Sequence, residues 1–203
     1  MRYALVAMIA LAATATLQAQ TPAAPSAPQP PSDEALRAAL VSRGRQDQAA
    51  REVFLMGHHQ DTTDIRRMTD IDADNTNFLK KIVAERGWPG RSLVGRDGAS
   101  AAFLIVQHSS DTTFQAKVLP LLEKAYAAGE VEGQHVALLT DRIAIRRGQP
   151  QVYGTQASLV KGRFVLDPIA DSANVDARRA RVGMPSVAAY MRILDSVYAT
   201  RIP

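Results

Sequence analysis

His108 and Asp141 are the two side chains of this chain best suited to move a proton. An imidazole titrates near neutral pH, and a carboxylate beside it can orient it or take its proton. Around them stand residues suited to hold a ligand: Gln107 next to His108, Arg142 next to Asp141, Tyr153, Thr155 and Gln156 in one short run, and Arg178 with Arg179 further on. A guanidinium grips a carboxylate or phosphate with a fork of N–H donors, and Gly154 would let backbone N–H groups approach a bound group. Such a set could bind a small polar or anionic ligand, or run acid–base hydrolysis through His108 and Asp141. Ser100, Ser109 and Ser110 lie near His108, but none sits in a Gly-x-Ser-x-Gly elbow, so no nucleophile is visible.

Helices must position most of these groups. Ala101 to Val106 leave no polar face, so a helix over Ala99–His108, capped by Asp97, is expected at the centre of the domain, with Gln107 and His108 emerging at its end. There, unpaired polar atoms are costly. The next helix starts among Ser110–Thr113 and runs to about Ala128, with a kink or break expected at Pro120. A further helix spans Gly133 or Gln134 to Arg147. In it Ala137, Leu138, Ala144 and Ile145 surround Asp141, which places that carboxylate on a half-buried face where it needs a partner or a proton. Arg142, His108, Arg178 and Arg179 are the available partners.

Upstream, Ser32 caps a helix to about Met56 whose middle is polar. The plain reading of that middle is a solvated face. The sharper one pairs Asp47 with Arg51 at (i, i+4) and points them into a cleft. Gly57-His58-His59-Gln60-Asp61 brings imidazoles and a carboxylate together, but adjacent histidines on a helix point about 100° apart and do not share one ion. A loop or helix end is expected there, and neither a metal site nor a bound cofactor. A second helix is expected from about Asp70 or Asp72 to Arg86, closed by Gly87 and the turn Trp88-Pro89-Gly90, with Trp88 as a packing anchor.

Beyond the fifth helix the period changes. Residues 151–166 alternate around a Lys161-Gly162 turn and read as a β-hairpin; short helices follow over Asp176–Val182 and from Pro185 to about Ala199. The fold class is therefore mainly α, about six to seven helices with one small hairpin, in a single domain over residues 32–203.

Residues 1–19 have the layout of a secretory signal peptide: a basic start, an apolar run from Ala4 to Ala15, then small residues. Cleavage is expected after Ala19 or Ala15, and the protein is expected in the periplasm or secreted, with no stable membrane span after cleavage. Residues 20–31 are rich in Pro and Ala without charge and form a linker. The chain has no cysteine, which excludes disulfides, thiol catalysis and thiolate metal sites. Its formal charge of +4 is interspersed along the chain and gives no nucleic-acid footprint.

Gly87-Trp88-Pro89, Gln107-His108, Asp141-Arg142 and Tyr153-Gly154-Thr155-Gln156, with Val94-Gly95, Gln115, Gly148, Gln151, Asp176 and Arg178-Arg179, together resemble a bacterial family of unknown function. The family is marked by an Asp-Arg pair followed by a Tyr-Gly-Thr-Gln run. The resemblance covers about Ser32 to Tyr190 and implies no particular reaction and no catalytic residues. It argues against a recognised hydrolase, protease or binding-protein class.

Three functions follow. The first is an exported module binding a small anionic or polar ligand through Gln107, His108, Asp141, Arg142, Tyr153, Thr155, Gln156, Arg178 and Arg179. The second is a hydrolase-like enzyme using His108 and Asp141. The third is a structural or interaction domain of the cell envelope, in which the same side chains form a satisfied buried network. An Asp141 that is tied up while arginines line the site favours ligand binding; His108 against Asp141 beside an open cleft favours catalysis.

Overall fold

In the computed structural model, which describes residues 30–56, 62–160 and 163–198, seven helices and one antiparallel hairpin follow in order. Residues 1–29, expected above as signal peptide and linker, the His58-His59 segment and the expected turn at Lys161-Gly162 lie outside the described residues. No helix among the described residues is long and apolar enough to cross a membrane.

Helix α1 spans Glu34–Met56. Its cap is Asp33 rather than Ser32: Asp33 Oδ1 accepts from the Leu36 N–H at 2.9 Å. The stripe Leu40, Gly44, Asp47 and Ala50 faces inward and is buried. Gly44 sets how closely α1 approaches the central helix, because a Cβ there would stand 3.1 Å from the Cβ of Ala101. That close crossing brings Asp47, one turn further along, into the interior.

Helix α2, Thr62–Arg86, begins well before the expected start near Asp70. Its first turns are mostly polar, with only Ile65 and Met68 to extend the apolar spacing back from Ile71, although Asp64 sits where the helix dipole favours an acid. Helix α3, Arg91–His108, also starts early, and the expected loop at Gly95 appears instead as a kink with φ 70°. From Ala99 onward it is buried nearly all round, touching α1, α2, α4 and α5. Helix α4, Thr112–Ala127, passes through Pro120 without the expected break. Pro120 stands on the exposed side, where water can replace the bond its ring removes.

Helix α5, Gly133–Arg146, packs on α3 and α4. Strands β1 (Ala157–Val160) and β2 (Arg163–Leu166) pair with Ala157 opposite Leu166 and Ser158 opposite Val165. The hairpin is thus shorter than the 151–166 span expected from the sequence. Gln151–Gln156 form a loop that touches the chain again through a parallel bridge between Gln151 and Ile169. A 3-10 turn, Ser172–Asn174, leads into α6 (Val175–Arg181), and α7 (Val187–Tyr198) closes the fold. The main core lies among α1 to α5; a smaller one, Ala157, Phe164, Tyr190 and Leu194, seats the hairpin on α7.

One core contact makes stability depend on pH. His135 of α5 stacks on Phe103 of α3, ring centroids 4.0 Å apart and 11° from parallel, with a buried Nδ1 that has no partner. Burial pushes the imidazole down to about 4, with Glu132 opposing and Arg91 adding to the shift. The unfolded chain binds a proton here near pH 6.5 and the folded one does not, so this contribution is complete above that pH and is lost as pH falls toward 4. The loss is expected to reach about 3 kcal/mol. Urea melts at pH 7, 6, 5 and 4.5 should show a shallower decline for His135→Phe, which keeps the stack; identical slopes in the two proteins would contradict it.

Candidate functional site

The end of α3 is a fixed point. Gln115 of α4, fully buried, donates Nε2 to the carbonyls of Val106, Gln107 and Ser109 at 2.9, 3.3 and 3.2 Å. Arg146 of α5 donates Nη1 to Ser109 O and Gln115 Oε1, both at 2.9 Å. These bonds answer the carbonyls a helix leaves open at its C-terminus.

His108 is held there against α1, with Nδ1 2.8 Å from both carboxylate oxygens of Asp47. Asp47 is fully buried. It also accepts from Gln48 Nε2 at 2.7 Å and stands 3.6 Å from Arg51 Nη2. Arg51 Nη2 in turn reaches both oxygens of Asp72 on α2, at 2.9 and 3.0 Å. Arg51 and Asp72 are the members that meet solvent, with side chains 19% and 15% exposed. Of the two readings of α1's polar middle, the (i, i+4) pair describes Asp47 and Arg51, while Arg45, Gln46 and Gln48 are the solvated face.

On the other side of the α3 terminus lies Arg142. With the Gln107 amide oriented to satisfy both its ends, Oε1 accepts from Arg142 Nε at 2.6 Å and Nη2 at 3.2 Å. Among the described residues no carboxylate is within ion-pair distance of this buried guanidinium.

The electrostatics follow from burial. Burial alone would raise the Asp47 carboxyl, but the hydrogen bond from His108 and the neighbouring charges outweigh it and hold Asp47 below the ordinary carboxylate range. Burial pushes Asp72 up to about 6 against the pull of Arg51. It pushes His108 down to about 4, so the imidazole is neutral and its Nδ1–H donates to Asp47. Arg142 is pushed down to about 9 by burial and by the charges of Arg146 and Arg51.

Asp141 does something else. Successive residues of a helix point about 100° apart, so Asp141 turns away from Arg142 and from His108 toward the loop after α5. Its Oδ1 accepts from the N–H groups of Val152 at 2.6 Å and Tyr153 at 2.9 Å; its Oδ2 accepts from Thr155 N and Thr155 Oγ1, both at 2.9 Å. Burial raises the Asp141 carboxyl while these donors oppose it. The carbonyls of the same loop are taken by α6. Arg178 Nε donates to Val152 O at 2.9 Å, and Arg179 Nη1 to Tyr153 O and Gly154 O at 2.7 and 3.1 Å. Tyr190 Oη donates to Thr155 O at 2.9 Å beneath the Arg179 guanidinium.

Within the loop, Gln151 bonds both ways with Gln156, accepting from its N–H at 2.8 Å and donating to its carbonyl at 2.9 Å, while Gln156 Nε2 donates to Thr155 Oγ1 at 2.9 Å. Gly154, at φ 66°, must be glycine: a Cβ would meet Ile169 at 2.8 Å.

The residues singled out by sequence therefore divide. Gln107, His108 and Arg142 meet at the end of α3. Asp141, Tyr153, Thr155, Gln156, Arg178 and Arg179 form a separate clamp on the loop, with Asp141 bound to backbone rather than to any of the partners expected for it. The carboxylate beside His108 is Asp47, so an acid–base role for His108 turns on Asp47. Asp72 was not foreseen. Its signal is a carboxylate on the inner stripe of α2, where Asn75, Thr76 and Leu79 are buried at helical spacing. A hollow of about 230 Å³ between the first turn of α4 and the last of α5, lined by Thr112, Thr113, Ile143, Arg146 and Arg147, meets the α3 terminus through Arg146.

Residues 34–203 match the model of a family of unknown function (DUF6624). No curated protein and no solved structure matches the chain.

Proposed function

The chain belongs to a family of unknown function, and from its own side chains we propose that it binds a small anionic ligand, a carboxylate or phosphate, at Arg142 beside Gln107 and His108. One observation carries this reading: Arg142 is a buried guanidinium bonded to a neutral amide, with two further guanidiniums near enough to repel it. A buried cation with no carboxylate in ion-pair contact is costly, and an oxyanion held by its fork of donors removes that cost. Asp141, Tyr153, Thr155, Gln156, Arg178 and Arg179 are scaffold in this reading, since the hydrogen bonds they make hold the loop in place, Tyr153 through its backbone and Arg179 with only its Nη2 left buried without a partner. In the same reading the protein is exported, on the strength of the leader-like residues 1–19.

The test is a thermal melt in inorganic phosphate and in citrate. At a ligand concentration one hundred times Kd the wild type gains about 2.7 kcal/mol and melts several degrees higher. Arg142→Gln should bind at least about tenfold more weakly. Arg178→Ala should melt earlier yet keep the full shift. Equal shifts in wild type and Arg142→Gln would remove the site from Arg142.

A further inference from the structure

Asp47, Asp72 and His108 come from three different helices, and one ligand atom from each lies within 4.8 Å of the other two. Asp47 and His108 are buried, and Asp72 opens to solvent only at its edge. Three ligands of one ion stand about 3.4–3.6 Å apart when each bond is about 2.1 Å, so the trio must draw together by roughly 1 Å to share one ion. Its cation here is Arg51, which reaches both oxygens of Asp72 and stands 3.6 Å from Asp47. One guanidinium charge faces two carboxylates, of which Asp47 also accepts from His108 and Gln48, and Arg51 Nη1 is left buried without a partner.

We propose that Asp47, Asp72 and His108 form a binding site for one divalent first-row metal ion, of the Mn²⁺ or Zn²⁺ kind, which Arg51 vacates when the ion enters. Two carboxylates and one imidazole suit an ion that accepts both oxygen and nitrogen ligands. His108 would bind the ion through Nδ1, the ring nitrogen that faces Asp47 at 2.8 Å. An ion of charge two answers both carboxylates, which one guanidinium cannot. No metal is expected from the sequence because the three residues are far apart in it; only the packing of α1 and α2 against the end of α3 assembles them.

This site uses residues other than Arg142 and does not depend on the anion reading. Arg142 is nevertheless close enough for its charge to act on both Asp72 and His108. An oxyanion there would be drawn by the guanidinium and by the ion together.

The experiment is titration of the full chain with Mn²⁺, followed by the electron paramagnetic resonance of the free ion, and with Zn²⁺ by calorimetry, in buffer without phosphate or carboxylates. One equivalent is expected to bind. Asp72→Asn, on the rim and chosen because Asp47→Asn can fail to fold, should weaken binding at least about tenfold. Arg51→Met should strengthen it several-fold by removing the competing cation; an Arg51 that is merely structural would leave metal affinity unchanged. The exposed Asp74→Asn should leave it within about twofold and Arg142→Gln, which removes a nearby positive charge, should not weaken it, so that loss of the anion site and loss of the metal site read out separately. Absence of binding by both wild type and Arg51→Met at millimolar metal overturns the proposal, as does binding that survives Asp72→Asn.

Discussion

Replacing Asp141 by Ala is expected to cost about 5 kcal/mol of stability and roughly 10–20 °C in Tm. The substitution removes the acceptor of three backbone N–H groups and one hydroxyl, all in a buried or half-buried loop. Each buried donor left without a partner costs about 1–3 kcal/mol. Asp141→Asn keeps the shape but turns an N–H₂ toward N–H donors, so it should recover only part of the loss. Amide exchange at Val152, Tyr153 and Thr155 should accelerate in both variants even where the helices remain protected, because the clamp secures the loop and not the bundle. A loss under about 1 kcal/mol with unchanged exchange would show that the loop is held by Arg178, Arg179 and Gln151 without Asp141.

Asp47→Leu is expected to cost about 3–5 kcal/mol, because it removes the acceptor of the His108 Nδ1–H and one of the two carboxylates near Arg51. The double variant Asp47→Leu/His108→Leu should be less damaged than the two single losses added together. Replacing both members of a buried polar pair leaves no uncompensated group, whereas removing one does. A coupling of about 2 kcal/mol in the double-mutant cycle is the expected result by urea melts. Additivity within about 0.5 kcal/mol would mean that the 2.8 Å contact between the two side chains carries no energy of its own.

These two clusters share a helix but were legible to different degrees. The role of α5 as carrier of a buried carboxylate can be read from the apolar residues three and four positions from Asp141. The identity of its partners cannot, because backbone N–H groups look alike in every sequence and only the course of the loop decides which ones point at the carboxylate. The same holds for Arg178 and Arg179, whose forks fit a ligand's oxygens and a loop's carbonyl oxygens equally well. The Tyr-Gly-Thr-Gln run reads as part of a hairpin through its alternation, yet it lies before β1, drawn out of the strand by its bonds to Asp141.

What the sequence by itself determined is what depends on near neighbours along the chain: the helical class, the buried rod over Ala99–His108, the left-handed glycine stop at Gly87 and the strand pair before Asp167. Even its failures there are local. Polar first turns hid the start of α2, and an exposed Pro120 did not break α4. The tertiary structure alone decided which charges meet. His108 and Asp47 are 61 residues apart, and they touch because Gly44 lets α1 press against Ala101 of α3 while Gln115 and Arg146 fix the helix end. Periodicity marks the face a side chain occupies. It does not give the helix that will cross that face or the angle of crossing, because these are set by packing summed over the whole core.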